Sequence, residues 1–148
     1  MSADKPDLLA ATGEIFDAML GLELEPLNGH SLPNEPDKVT ASVGLSGGWN
    51  GAVVFECSRQ TACMLAGAML AIEFDEFDND VKDVVGEITN MVAGNVSRSL
   101  TGSPALAPPC IVEGSDYSMD VLGVKQLAQQ ILICGQKPIT VKVLESAA

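Results

Sequence analysis

Histidine occurs once, at His30, tryptophan once, at Trp49, and aromatic residues make up 4% of the 148 residues. One histidine leaves no material for a histidine-based metal site or a Cys/His nucleophile pair. The four cysteines, Cys57, Cys63, Cys110 and Cys134, show no CxxC spacing. Each sits in an apolar segment, so they read as buried free thiols. Cations are scarce as well: eight Lys and Arg against 20 Asp and Glu give a formal charge of −12. Phosphate-backbone binding needs a cationic footprint, so nucleic acid is excluded as a partner and a basic protein surface is favoured. No stretch reaches the roughly 18 uninterrupted apolar residues of a membrane span. The N-terminal MSADKPDLLAATGEIF carries acids where a signal peptide needs a basic region, so a cytoplasmic protein without a membrane segment is expected.

What is present suits a compact fold. Apolar residues are 47% and charged residues 19% of the chain, and Pro and Gly are dispersed. The length predicts a single domain over 1–148 with enough bulk for a core. From Asp7 to Leu22, Leu8, Leu9, Ile15, Phe16, Met19 and Leu20 follow a helical period. Pro26, Gly29, Pro33 and Pro36 predict an irregular connection from Glu23 to Lys38, and His30, lying in it, receives no role. Val39, Ala41, Val43 and Leu45 alternate with Thr40, Ser42 and Gly44, and a second strand from Gly51 to Cys57 makes a hairpin, with Trp49 packed over its end. Ser58 caps a helix to Ala71 with Ala62, Leu65, Ala66, Met69 and Leu70 on its apolar face. A short strand over Cys110–Val112 and a second hairpin, Leu127–Cys134 with Ile139–Val143, complete an α+β domain with a largely antiparallel sheet packed against helices. Ser115–Leu122 carries no legible pattern.

One long helix, Asp80–Arg98, links these parts. Val81, Val84, Val85, Ile88, Met91, Val92 and Asn95 fall on one side at the spacing of a buried stripe. Asp83, Glu87, Asn90 and Gly94 share another side, together with Asp80. Solvation alone would account for such a polar face. The pair Glu87 and Asn90, however, puts a carboxylate and a carboxamide one turn apart, projecting the same way. Two glycines inside the helix, Gly86 and Gly94, each cost about 1 kcal/mol against alanine, which suggests that something approaches the backbone there. The acids at Glu73, Asp75, Glu76, Asp78, Asp80 and Asp83 lack the ligand spacing of a calcium loop and read as acidic residues at a helix N-terminus.

The run DVVGEITNMVAGN, in this order of elements, resembles the CheX, CheC and FliY family of chemotaxis phosphatases. The resemblance covers most of the chain from Lys38 onward. The family signature is an Asp or Ser, three residues, a Glu, two residues, an Asn, and a proline some twenty residues on. Asp83, Glu87 and Asn90 fill the first three places. The usual offset of the proline falls on Glu113, whereas this chain has Pro108 and Pro109. A single copy of the signature is similar to the CheX arrangement, which implies a homodimer joined through its sheet.

The resemblance implies a phosphatase that hydrolyses the aspartyl phosphate of a CheY-like response regulator. Glu87 and Asn90 would be the catalytic residues, with Asp83 and Gly94 in contact with the partner. It implies no cofactor of the protein's own, and a magnesium ion, Mg2+, in the response regulator. Two other functions fit parts of the pattern: a non-catalytic CheX-like adaptor that binds a response regulator or signalling partner, and a small-ligand domain around Trp49. The former predicts binding without hydrolysis, and the latter a pocket at Trp49 with Glu87 hidden.

Overall fold

The computed structural model describes residues 6–27, 37–114 and 124–146. Seven strands form one sheet: β1 (Glu25–Leu27), β2 (Lys38–Ser46), β3 (Gly51–Ser58), β4 (Ala105–Leu106), β5 (Cys110–Glu113), β6 (Val124–Cys134) and β7 (Lys137–Ser146). Their order is β1-β6-β7-β3-β2-β4, with β5 also paired to β2, and every pairing is antiparallel. Three α-helices, α1 (Leu8–Ile15), α2 (Arg59–Leu70) and α3 (Asn79–Ser99), and a π-helical turn directly after α1 (Phe16–Leu20) complete the described elements.

Alternation along the strands decides which side is covered. Successive side chains of a strand point to opposite faces. The residues in register at Ala41, Phe55 and Val141 therefore share one face, and all three are fully buried in the core. Val39, Val43, Val53 and Val143 extend that face, and α3 lies over β2 and β3 with α1 and α2 on its flanks. Phe16, just beyond α1, meets Phe55 with ring centroids 6.3 Å apart. The other face carries the row Thr40, Glu56 and Thr140 on neighbouring strands. Glu56, only 8% exposed, is held by Lys38 at 2.9 Å and Lys142 at 3.0 Å. A carboxylate that far out of water requires such partners.

The α+β class and both long hairpins match expectation, as do the Ser58 cap, whose side chain accepts from the Thr61 amide at 3.1 Å, and the burial of Trp49. Four details differ. The helix expected over Asp7–Leu22 is capped by Asp7 but passes into a wider π turn over Phe16–Leu20, closed by Gly21 at φ 67°. The connection after it contains β1, because an edge strand tolerates Pro26, whose missing N–H need not face a neighbour. Two-residue β4 is too short to leave a pattern. Leu70, assigned to the apolar face of α2, is 45% exposed, because the helix ends there with Ala71 in the left-handed region at φ 58°. The stretch without a legible pattern lies outside the described residues.

Gly51 opens β3 beneath the indole of Trp49. A Cβ there would stand 1.9 Å from the Leu144 carbonyl oxygen and 2.6 Å from Trp49 Cη2. Gly51→Ala is therefore expected to cost about 1–3 kcal/mol by overpacking, read as a lower urea midpoint with an unchanged slope. An unaltered midpoint would show that the Trp49 cap does not constrain the hairpin.

Candidate functional site on the third helix

α3 begins where Asp78 turns its carboxylate back onto the Val81 amide at 3.0 Å. Asp80 follows in the first turn, so two negative charges meet the positive end of the helix dipole. The buried stripe is Val81, Val84, Val85, Ile88, Val92, Ala93 and Val96. Polar residues on or beside it are satisfied internally: Thr89 Oγ1 donates to the Val85 carbonyl at 2.8 Å, and Ser97 Oγ to the Pro104 carbonyl at 2.6 Å. Asn95, assigned from the sequence to the apolar stripe, is half-buried. Its Nδ2 donates to the Ala11 carbonyl at 3.0 Å, which ties α3 to α1, and its Oδ1 accepts from Arg98.

That stripe fixes the rotation of the helix and so aims the opposite side. At about 100° per residue, Asp83, Glu87, Asn90 and Gly94 fall within an arc of roughly 60°. Asp83 and Glu87 are exposed, while Asn90 and Gly94 are partly so. No hydrogen bond or ion pair joins the side chains of Asp83, Glu87 or Asn90 to another described residue. The face turns to solvent, and an open groove of about 940 Å³ lies elsewhere, lined by Arg59, Cys63, Met64, Ile72, Phe74, Phe77 and Lys137 among others. An outward carboxylate and carboxamide with unused hydrogen-bonding capacity on a helix can enter a site that another protein provides.

The two glycines of α3 behave differently. A Cβ on Gly86 would meet Pro109 Cγ at 3.3 Å and Ile111 Cδ1 at 3.6 Å. The expected close approach at Gly86 is thus made by the chain itself, and Pro109 forms a wall one helical turn from Asn90. A Cβ on Gly94 would find only Arg98 Nη1, at 3.9 Å. Nothing described in this chain requires that position to be glycine.

Sequence reasoning did not find the role of Glu113. Its Oε1 accepts from Arg59 Nε at 3.2 Å, and its Oε2 lies 3.2 Å from Lys82 Nζ, which also stands 5.7 Å above the Phe77 ring. The hydrogen bond from Lys82, and then that from Arg59, hold the Glu113 carboxyl below the usual carboxylate range. Its ion pairs are therefore intact at neutral pH and are lost as pH falls through that lowered value.

Among the cysteines, Cys57 and Cys134 are buried and Cys63 is half-buried, whereas Cys110 is exposed. The expectation of four buried thiols fails at Cys110 because it opens β5, whose only described strand neighbour is β2. Burial pushes the Cys57 thiol up, and burial likewise raises those of Cys63 and Cys134. Cys57 and Cys134 are packing thiols, whereas Cys63 also lines the open groove. Among the described residues no group of three or more His, Cys, Asp or Glu could hold a metal ion, and no helix is long and apolar enough to cross a membrane.

An antiparallel sheet covered by three helices is the architecture of the CheC- and CheX-like proteins. The crystal structure of the chemotaxis protein CheX from Vibrio vulnificus aligns over 97% of this chain and 100% of its own, at TM-score 0.76 and 23% identity. That of the CheX–CheY–BeF3–Mg complex from Borrelia burgdorferi aligns over 98% of this chain and 100% of its own, at TM-score 0.73 and 23% identity. The family model described as chemotaxis phosphatase CheX matches residues 39–132, and the chain belongs to that family. The CheY-P phosphatase CheX of Thermotoga maritima is 27% identical over 124 residues, 78% of this chain and 80% of that protein.

The contrast between the glycines is testable on stability alone. Gly94→Ala should stabilise the protein by about 0.5–1 kcal/mol, the helix-propensity gain of alanine over glycine. Gly86→Ala should fall short of that gain, because its new methyl group must displace Pro109. Equal gains in thermal unfolding would show that the proline ring does not bear on the helix.

Proposed function

We propose that this protein hydrolyses the aspartyl phosphate of a CheY-like response regulator, with α3 inserted into the partner's active site. The carrying observation is that Asp83, Glu87 and Asn90 stand on the outward face of a helix, without partners among the described residues, while its other side is locked into the core. Membership of the CheX family and the name of the Thermotoga maritima relative support the substrate. We read the chain as one CheX-like domain working in the cytoplasm, where response regulators are found.

The chemistry asks little of the helper. In phosphoryl transfer, an in-line water forms the new P–O bond as the bond to the aspartyl oxygen breaks. The products are inorganic phosphate and a free carboxylate, and the departing water proton passes to phosphate or solvent. A magnesium ion in the receiver neutralises the phosphoryl oxygens. This protein then supplies position. Asn90 orients the water, its Oδ1 accepting and its Nδ2 able to donate. Glu87 pairs with the receiver's active-site lysine and fixes the docking register. Asp83 adds charge at the rim, and Gly94 leaves clearance for the partner's backbone.

The protein acts as a homodimer joined through its sheet. Among the described residues, β1 pairs only with Ile131–Ile133 of β6, so the rest of that strand's outer edge has no described neighbour. Such an edge can pair with a copy of itself. Sedimentation should give twice the monomer mass at micromolar concentration, and a monomer there would remove this assembly.

With a phosphorylated CheY-like receiver, phosphate release should be accelerated by wild type. Asn90→Ala should lower kcat by about 100-fold or more, since it removes an interaction made in the transition state, with binding nearly intact. Glu87→Ala should also weaken binding, by about 1.5–3 kcal/mol for a charge-assisted hydrogen bond. Decay equal to that of receiver alone, with wild type and Asn90→Ala indistinguishable, would falsify the enzymatic reading. Tight binding without acceleration would assign the adaptor role instead. Gly94→Ala discriminates further: a more stable protein with weaker receiver binding is the signature of docking clearance.

A further inference from the structure

One side of the α3 site is walled by a short edge strand. Pro109, directly before β5, and Ile111 within it lie against Gly86, and one helical turn back Lys82 reaches Glu113 at the far end of the same strand. β5 is thus fastened to α3 at two points. The first is a contact without polar bonds that depends on a missing side chain. The second is a carboxylate with each oxygen engaged, one by α3 through Lys82 and one by α2 through Arg59. Arg59 is itself anchored, its amide donating to the Asp37 carbonyl at 2.9 Å. Four strand residues advance about 13 Å and one helical turn about 5 Å, so the strand crosses the helix obliquely and the long Lys82 side chain spans the remainder. Apart from this clip, β5 has only its ladder to β2 among the described strands.

We infer that Glu113 is a positioning residue of the α3 site: by clipping β5 to α3 and α2 it seats Pro109 against Gly86, and so holds the wall beside Asn90. This rests on the phosphatase reading of that site. Glu113 is not a catalytic residue, since it acts through the strand. Its carboxylate also neutralises two cations that would otherwise dilute the acidic docking face of Asp80, Asp83 and Glu87. Both ion pairs are partly exposed. Pairs of that kind shift an equilibrium modestly, so losing the clip should lower the seated population about three- to fivefold and leave the fold in place.

The test compares wild type with Glu113→Ala, using a phosphorylated CheY-like receiver at saturation, and amide hydrogen exchange on each protein alone. In low salt, kcat should drop about three- to fivefold with KM nearly unchanged, because Asp83 and Glu87 remain available for docking. The ratio of the two kcat values should approach one in about 1 M salt, where screening removes the clip from wild type as well. A residue with only a structural role would instead lower the melting temperature and give a ratio indifferent to salt. The amides of Val112 and Gly114, which face β2, should exchange faster in the variant, while those of the β2–β3 ladder stay protected. Equal protection of β5 in the two proteins overturns the clip whether or not turnover is seen. Faster exchange with unchanged kcat overturns the positioning role. A wild type that fails to accelerate dephosphorylation removes the phosphatase reading, and the positioning role falls with it.

Discussion

The burial of one stripe of α3 against β2 and β3 is the constraint on which the rest of this molecule depends. Val81, Val84, Val85, Ile88, Val92 and Val96 are each at most 5% exposed. Rotating the helix by even 100° would trade several of these side chains for Asp83, Glu87 or Asn90, each buried valine or isoleucine forfeiting about 1.5–3 kcal/mol and each polar group losing its water. The aim of the outward face is therefore a by-product of core packing. No hydrogen bond to the site residues is needed to orient them, and their hydrogen-bonding capacity stays available to a partner.

The scarcity of cations gives their placement weight. Glu56 engages Lys38 and Lys142, and Glu113 engages Arg59 and Lys82, so four of the chain's eight basic residues converge on two carboxylates. Most of the acids among the described residues face solvent without such partners. A surface of this kind repels other acidic proteins and attracts basic rims, and its influence fades beyond about 10 Å at 0.1 M salt. Among the described residues, acids from Glu73 through Glu87 cluster around the start of α3, which makes that end of the helix strongly negative. Association rate is the property this most affects.

A catalyst that works inside another protein's active site has little use for a pocket of its own. An open groove lies beside α2, away from the α3 face, in keeping with the proposed division of labour. The supporting wall is economical: Gly86 carries no side chain, Pro109 fills the space, and Glu113 keeps the strand in place. Pro109 stands against the motif helix, whereas the usual spacing of the family proline would place it at Glu113. Pro109 thus reaches the helix four residues before that offset, and Glu113, at the offset itself, holds the ion pairs to Arg59 and Lys82.

Sequence by itself determined the α+β class, the two long hairpins, the capped α2, and both faces of α3, because these follow from local periodicity and from capping residues near in the chain. It also placed Asp83, Glu87, Asn90 and Gly94 on one line through helical spacing alone. Only the tertiary structure decided which of two helical glycines is filled from within, that Cys110 faces solvent, that a proline-bearing segment becomes edge strand β1, and that Arg59, Lys82 and Glu113 meet. Each of these depends on segments distant in the chain, 54 residues apart for the Arg59–Glu113 pair. No periodicity encodes such a meeting, since it arises only when the sheet and helices have packed and brought segments distant in the chain side by side.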